Sequence, residues 1–188
     1  MCMLEIIQTF DSSVLLWIQE NLHNFILDPL IVAYTSLGNY SIIWLLLAAV
    51  MIYFPKTRKA GVLVLLAIAL GYLVNNLILK DLIERPRPWI DISGLEPLIY
   101  ASNPNSFPSG HTCIAFAVVG IICRTQSQNW ALASIVAAVL MGFSRMYVSV
   151  HYPTDIMAGA VVGIVCSQVI WYIYSSANKK HLLSESAL

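Results

Sequence analysis

Long apolar runs, each near the length needed to cross hydrocarbon and separated by short charged clusters, constrain this 188-residue chain more than any other feature. A helix needs about 20 apolar residues to span a bilayer. Candidate runs lie at 29–54, 60–79, 111–123, 130–147 and 153–174. Hydrophobic residues make up 59% of the chain and charged residues 11%, too few to solvate the surface of a soluble domain of this length. The pattern predicts an all-α, polytopic transmembrane helix bundle of five to six spans.

The sixth candidate is the N-terminus. Leu4, Ile7, Phe10, Val14, Leu15, Trp17 and Ile18 alternate with Gln8, Asp11, Gln19 and Glu20, a pattern that favours an amphipathic helix over 1–24 lying on the membrane. No linker, repeat or low-complexity tract divides the chain, so residues 1–188 read as one membrane-embedded domain with a cytoplasmic tail at 175–188. The first ten residues carry no basic segment or cleavage pattern of a removable signal peptide. Cys2, Cys113, Cys123 and Cys166 have no metal-ligand spacing and read as free thiols. A formal net charge of zero gives no field to attract nucleic acid, so membrane lipids are the expected surroundings.

Location of the basic residues sets the orientation. When the spans are threaded alternately, Lys56, Arg58, Lys59, Arg124, Lys179 and Lys180 fall on one side, which the positive-inside rule places in the cytoplasm. Lys80, Arg85, Arg87 and Arg145 fall on the other side, against that trend. An external anion would account for them. Trp130, Trp171, Tyr172 and Tyr174 at span ends read as interfacial anchors.

Three segments at external span ends carry the chemistry: Lys80 to Pro88 (KDLIERPRP), Phe107 to His111 (FPSGH) and Ser144 to Asp155 (SRMYVSVHYPTD). Pro108-Ser109-Gly110 precedes a helix starting near His111, and a helix N-terminus with a close-approach glycine and a hydroxyl is a phosphate-sized anion site. Pro153 suits the first turn of the last helix, which leaves His151 just before it and Asp155 within reach of the imidazole. An Asp bonded to one ring nitrogen fixes the tautomer and leaves the other lone pair to attack. Pro86 and Pro88 stiffen the chain around Arg87, a bidentate phosphate ligand, while Lys80 supplies a point charge. The run at 111–123 gives about 20 Å of helix against about 30 Å of hydrocarbon, so its N-terminus is expected to sit recessed at headgroup depth.

Together these segments resemble the type 2 phosphatidic acid phosphatase family, membrane lipid phosphatases that share a fold with vanadium haloperoxidases. Its pattern K-x6-RP, PSGH, SR-x5-H-x3-D is met by Lys80, Arg87 and Pro88, then Pro108, Ser109, Gly110 and His111, then Ser144, Arg145, His151 and Asp155. The resemblance covers roughly 35–175 and is specific as a joint match. It implies that His151 attacks phosphorus, that Asp155 orients it, and that His111 protonates the leaving oxygen and later activates water. Lys80, Arg87, Ser109, Gly110 and Arg145 would hold the phosphoryl oxygens, without metal or other cofactor. No role follows for Ser144, and Arg85 lies outside the pattern.

Small bacterial members resemble undecaprenyl pyrophosphate phosphatases, which makes a lipid pyrophosphate or phosphate the expected substrate, handled on the external face of the cell membrane. A phosphatidylglycerol-phosphate or phosphatidate phosphatase would use the same residues, and a non-catalytic transporter or channel is the reading from a different class. Against the latter, 29–54, 60–79 and 153–174 place no ionisable residue at mid-membrane, where a charged pathway would show one, and the polar Asn75 and Asn76 are explained by interhelical hydrogen bonding. The 89–106 loop reads equally as a lipid-contacting flap or as packing.

Overall fold

The computed structural model describes residues 3–185; Cys2 and the end of the 175–188 tail lie outside the described residues. Helix α1 (Met3–Leu22) precedes α2 (Leu27–Leu37) and α3 (Ile42–Tyr53), which meet at a 53° bend. Helix α4 (Arg58–Tyr72) continues through a π-helical stretch at Leu73–Leu79 into α5 (Lys80–Ile83). The one-turn α6 (Pro88–Asp91) is followed by α7 (Gly110–Thr125), α8 (Gln128–Tyr147) and α9 (Pro153–Glu185). Among the described residues the only β pairing is an isolated bridge between Pro86 and Asn105.

The expected membrane helix bundle forms. Three helices are long and apolar enough to span alone: Arg58–Ile83, Gln128–Tyr147 and Pro153–Lys179. The bent α2–α3 pair counts together as a fourth, and the 16-residue α7 is the shorter fifth run. The single span expected over 29–54 is thus broken. Gly38, Asn39 and Ser41 interrupt its apolar run, and Tyr40 and Ser41 adopt φ of 51° and 60°, which no continuous helix allows.

Helix α7 is apolar for a different reason from its neighbours. Its residues from Thr112 to Ile122 are almost all buried, enclosed by α4, α8 and α9, whereas Leu66 on α4, Leu132 and Val139 on α8, and Val161 and Val165 on α9 face outward. A helix at the centre of a bundle has protein rather than lipid to satisfy, so about 24 Å of it suffices. The outer helices carry apolar side chains toward the bilayer instead.

Helix α1 leaves Glu5, Thr9, Ser13 and Glu20 exposed but buries Asp11. Leu15 packs with Ile92, Leu95 and Tyr152, Ile18 packs with Tyr147, Val148 and Val150, and Asp11 between them is fully buried. Ile6, Phe10 and Trp17 remain exposed. Water therefore does not face the Asp11 side; the turn between α8 and α9 does. The end of α9 departs from expectation in a smaller way. Trp171 and Tyr174 pack inward against the main core and each other, and only Tyr172 points out.

Candidate active site

The α8–α9 turn builds the centre. Ser149, buried with a φ of 60°, reverses the chain so that His151 lies just before α9, and Asp155 sits in its first turn. Asp155 Oδ2 accepts the Tyr152 backbone N–H at 3.0 Å and stands 3.3 Å from His151 Nδ1. On the opposite edge of the ring, Arg87 Nη1 lies 3.0 Å from Nε2 and also donates to the Val150 carbonyl at 2.8 Å. A guanidinium can only donate, so Nε2 must be the acceptor and the ring proton must sit on Nδ1, facing Asp155. The geometry therefore selects the tautomer whose lone pair is on Nε2. Burial first, then the charges of Arg87, Lys80, Arg145 and His111, hold the His151 imidazole well below its usual range, so it is neutral at physiological pH.

The anion-binding end of α7 is fastened to this centre. Ser109 caps the helix, its Oγ accepting from the Thr112 hydroxyl at 2.9 Å, and its own N–H donates to the Asp155 carbonyl at 3.0 Å. The N–H groups of Gly110 and His111 remain unbonded among the described residues. A Cβ at Gly110 would come within 2.7 Å of Asn76 Oδ1 and force the Asn76 amide aside. Gly159 plays the same part from α9, where a Cβ would meet the Ser109 carbonyl at 2.5 Å. Asn75, fully buried in the π-helical stretch, donates to the Pro108 carbonyl at 3.2 Å. The Asn75-Asn76 pair thus braces the loop before α7, a use for π geometry often found at functional sites.

The cations are aimed by backbone carbonyls of the 89–106 loop. Arg87 Nε donates to Asn103 at 3.1 Å and Lys80 Nζ to Asn105 at 3.3 Å. Burial draws Arg87 down to about 10, still charged at neutral pH. The loop is anchored at Ile92 and Leu95, which are buried, and at Gly94 and Glu96, which bond to Gln19 of α1. Tyr100, 79% exposed, is its main outward aromatic.

Arg145 reveals what Ser144 does. Ser144 Oγ lies 3.0 Å from Thr35 Oγ1 and donates to the Met141 carbonyl at 2.7 Å, while Thr35 Oγ1 accepts from Arg145 Nη1 at 2.8 Å. Ser144 therefore orients the hydroxyl that orients the guanidinium. Arg145 Nε is buried with no bonded partner among the described residues, a donor suited to an anion's oxygen. His111 is held by Asn39 of the α2–α3 bend, with Nε2 to Oδ1 at 3.2 Å.

All eight sequence-derived residues gather at one end of the bundle, and His151 feels the charge of every cation in the set. Sequence reasoning missed Thr35, Asn39, Asn105, Asp11 and the part played by Arg85. The one legible signal was polar residues stranded in apolar runs. Among the described residues, no group of three or more His, Cys, Asp or Glu side chains is placed to hold a metal ion.

Known proteins resemble this chain in sequence and in fold. The chain is 30% identical over 148 residues to undecaprenyl-diphosphatase BcrC of Bacillus subtilis, covering 76% of this chain and 72% of that one. It is 29% identical over 122 residues to an undecaprenyl-diphosphatase of Sulfolobus acidocaldarius, 64% of this chain but only 58% of that protein's length. The crystal structure of a transmembrane PAP2-type phosphatidylglycerolphosphate phosphatase from Bacillus subtilis superposes with a TM-score of 0.75 at 25% identity, over 91% of this chain and 87% of that one. The family model of the PAP2 superfamily matches residues 60–179, from the start of the second span to the end of the last. With its transmembrane bundle and its three motif segments at one mouth, the chain belongs to the PAP2 superfamily.

Proposed function

We propose that this protein is an integral membrane lipid phosphatase that hydrolyses a lipid pyrophosphate, with undecaprenyl pyrophosphate the first candidate, through a phosphohistidine on His151. The observation that carries the reading is the pinned imidazole, with Nδ1 on Asp155 and Nε2 turned toward the cations. The Nε2 lone pair attacks phosphorus as the bond to the leaving lipid phosphate breaks, and His111 supplies that oxygen's proton. Water then cleaves the N–P bond, with His111 taking a proton from it. Lys80, Arg87, Arg145, Ser109 and Gly110 hold the phosphoryl oxygens. Their fixed charges and dipoles stabilise the five-coordinate transition state in place of a metal ion.

The test is phosphate release by the purified protein in detergent from a panel of lipid pyrophosphates and monophosphates, with and without EDTA. Release is expected to be fastest from the lipid pyrophosphate and unchanged by EDTA. Loss of activity in EDTA with recovery in Mg²⁺ would contradict the metal-free mechanism. The likeness to the phosphatidylglycerolphosphate phosphatase supports a second reading, in which phosphatidylglycerol phosphate is the preferred member of the panel.

The reacting end faces outside the cell membrane. Lys56, Arg58, Lys59, Arg124 and Lys179 all lie at the opposite end, which supports this orientation. Tyr100→Cys in a Cys2→Ser background should react with an impermeant thiol reagent on intact cells, whereas Cys123 at the far end of α7 should react only after lysis. The reverse pattern would place the site inside.

A further inference from the structure

Arg85, which matches no motif position, makes more side-chain bonds at this end of the bundle than any of the motif cations. Its Nη1 donates to Asp155 Oδ1 at 2.8 Å and Thr154 Oγ1 at 2.7 Å. Its Nη2 donates to Asp11 Oδ2 at 2.7 Å and Gln8 Oε1 at 2.9 Å, and its Cζ lies 3.7 Å above the Tyr152 ring. Asp11 also accepts from the Thr154 backbone N–H at 3.1 Å and from the Thr154 hydroxyl. One carboxylate from α1 thus caps α9 and shares a guanidinium with the carboxylate that holds His151. Both carboxylates are fully buried, while Arg85 is 18% exposed.

Burying two carboxylates around one guanidinium is costly, and an apolar trio of similar volume would fasten α1 to α9 at least as well. The arrangement makes sense as control of Asp155. While the Nε2–P bond forms and the P–O bond breaks, the ring keeps its Nδ1 proton and becomes cationic, so Asp155 must stay both ionised and in line. Arg85 on Oδ1 keeps the carboxylate from taking the proton. Asp11, by drawing part of the guanidinium charge, leaves Asp155 enough negative charge to stabilise the cationic ring.

We propose that Asp11 and Arg85 form a positioning relay that orients and tunes Asp155, which makes helix α1, outside the matched residues 60–179, a working part of the site. The proposal rests on His151 as the nucleophile. Asp11 is fully buried and both Arg85 Nη atoms are bonded to protein, so both residues are expected to act on turnover and not on binding.

The experiment measures single-turnover phosphohistidine formation and steady-state KM for Arg85→Gln, Arg85→Lys and Asp11→Asn, each in the native and in the Asp155→Asn background. In the native background Arg85→Gln should slow phosphoryl transfer roughly 10- to 100-fold, as loss of an orienting outer contact does, with KM within about twofold because both Arg85 Nη atoms are bonded to protein. Arg85→Lys should recover part of the loss, and Asp11→Asn should show a smaller loss with its capping oxygen retained. In the Asp155→Asn background the same changes should cost nothing more, because a relay has no effect once its target is gone. Equal losses in both backgrounds, or a change confined to KM, would show that α1 is only scaffold. Absence of phosphohistidine in the unmutated protein would instead remove the nucleophile assignment, and the relay with it.

Discussion

His151→Ala is expected to form no phosphoenzyme and to lose turnover by about six orders of magnitude, the scale set by deleting a covalent nucleophile. The reason is on the ring itself. Asp155 holds the Nδ1 edge of the imidazole, and Arg87 donates to the lone pair on Nε2, which becomes the nucleophile once the guanidinium turns to the phosphoryl oxygens. Water bound in the same place has neither the nucleophilicity nor the fixed orientation. Asp155→Asn is the companion measurement. An amide can face Nδ1 with its N–H₂ and favour the wrong tautomer, so a loss of about 10⁴ is expected with the fold intact. Rapid-quench measurement of acid-labile, base-stable phosphoenzyme, alongside a thermal melt of each variant, checks both. Phosphoenzyme in His151→Ala would move the nucleophile elsewhere.

The second large effect separates the two histidines by leaving-group chemistry. A phosphomonoester such as phosphatidate expels an alkoxide, whose conjugate acid has a far higher pKa than the lipid phosphate expelled from a pyrophosphate. A general acid at His111 therefore matters most for the monoester. His111→Ala should slow phosphoenzyme formation roughly 10²- to 10⁴-fold on a monoester and much less on a pyrophosphate. Single-turnover rates are needed, because the later hydrolysis step is common to both substrates. Equal losses would leave His111 as a phosphate-binding or structural residue, braced by Asn39 but without a role in proton transfer.

The proposed catalytic pair was legible in the sequence because its geometry is local. His151 and Asp155 are four residues apart across a helix start, and Pro153 marks that start, so no tertiary contact is needed to bring them together. Ser109 and Gly110 are legible for the same reason, as the cap of α7. Asn39, Thr35 and Asp11 were not legible as site residues. They reach the site from helices 72 to 143 positions away, and only the packing of the bundle aligns them. Ser144 shows the difference within one motif: its position was readable, but its purpose depends on Thr35. The break in the 29–54 span was written as polar residues inside an apolar run, a pattern equally compatible with an unbroken helix in a polar-lined bundle.

Sheathing α7 in protein also bears on how this molecule sits in bilayers of different thickness. Hydrophobic mismatch is met by the helices that contact lipid, through tilt, local thinning or snorkelling at their ends. Here those are the outward faces of α4, α8 and α9, whereas the start of α7 is fixed to Asp155, Asn75 and Gly159. Thinner or thicker membranes therefore change the tilt of the whole bundle before they change the spacing of the reacting groups. The distance between the headgroup plane and His151 becomes the adjustable quantity, and the lipid, with its flexible tail, makes the adjustment.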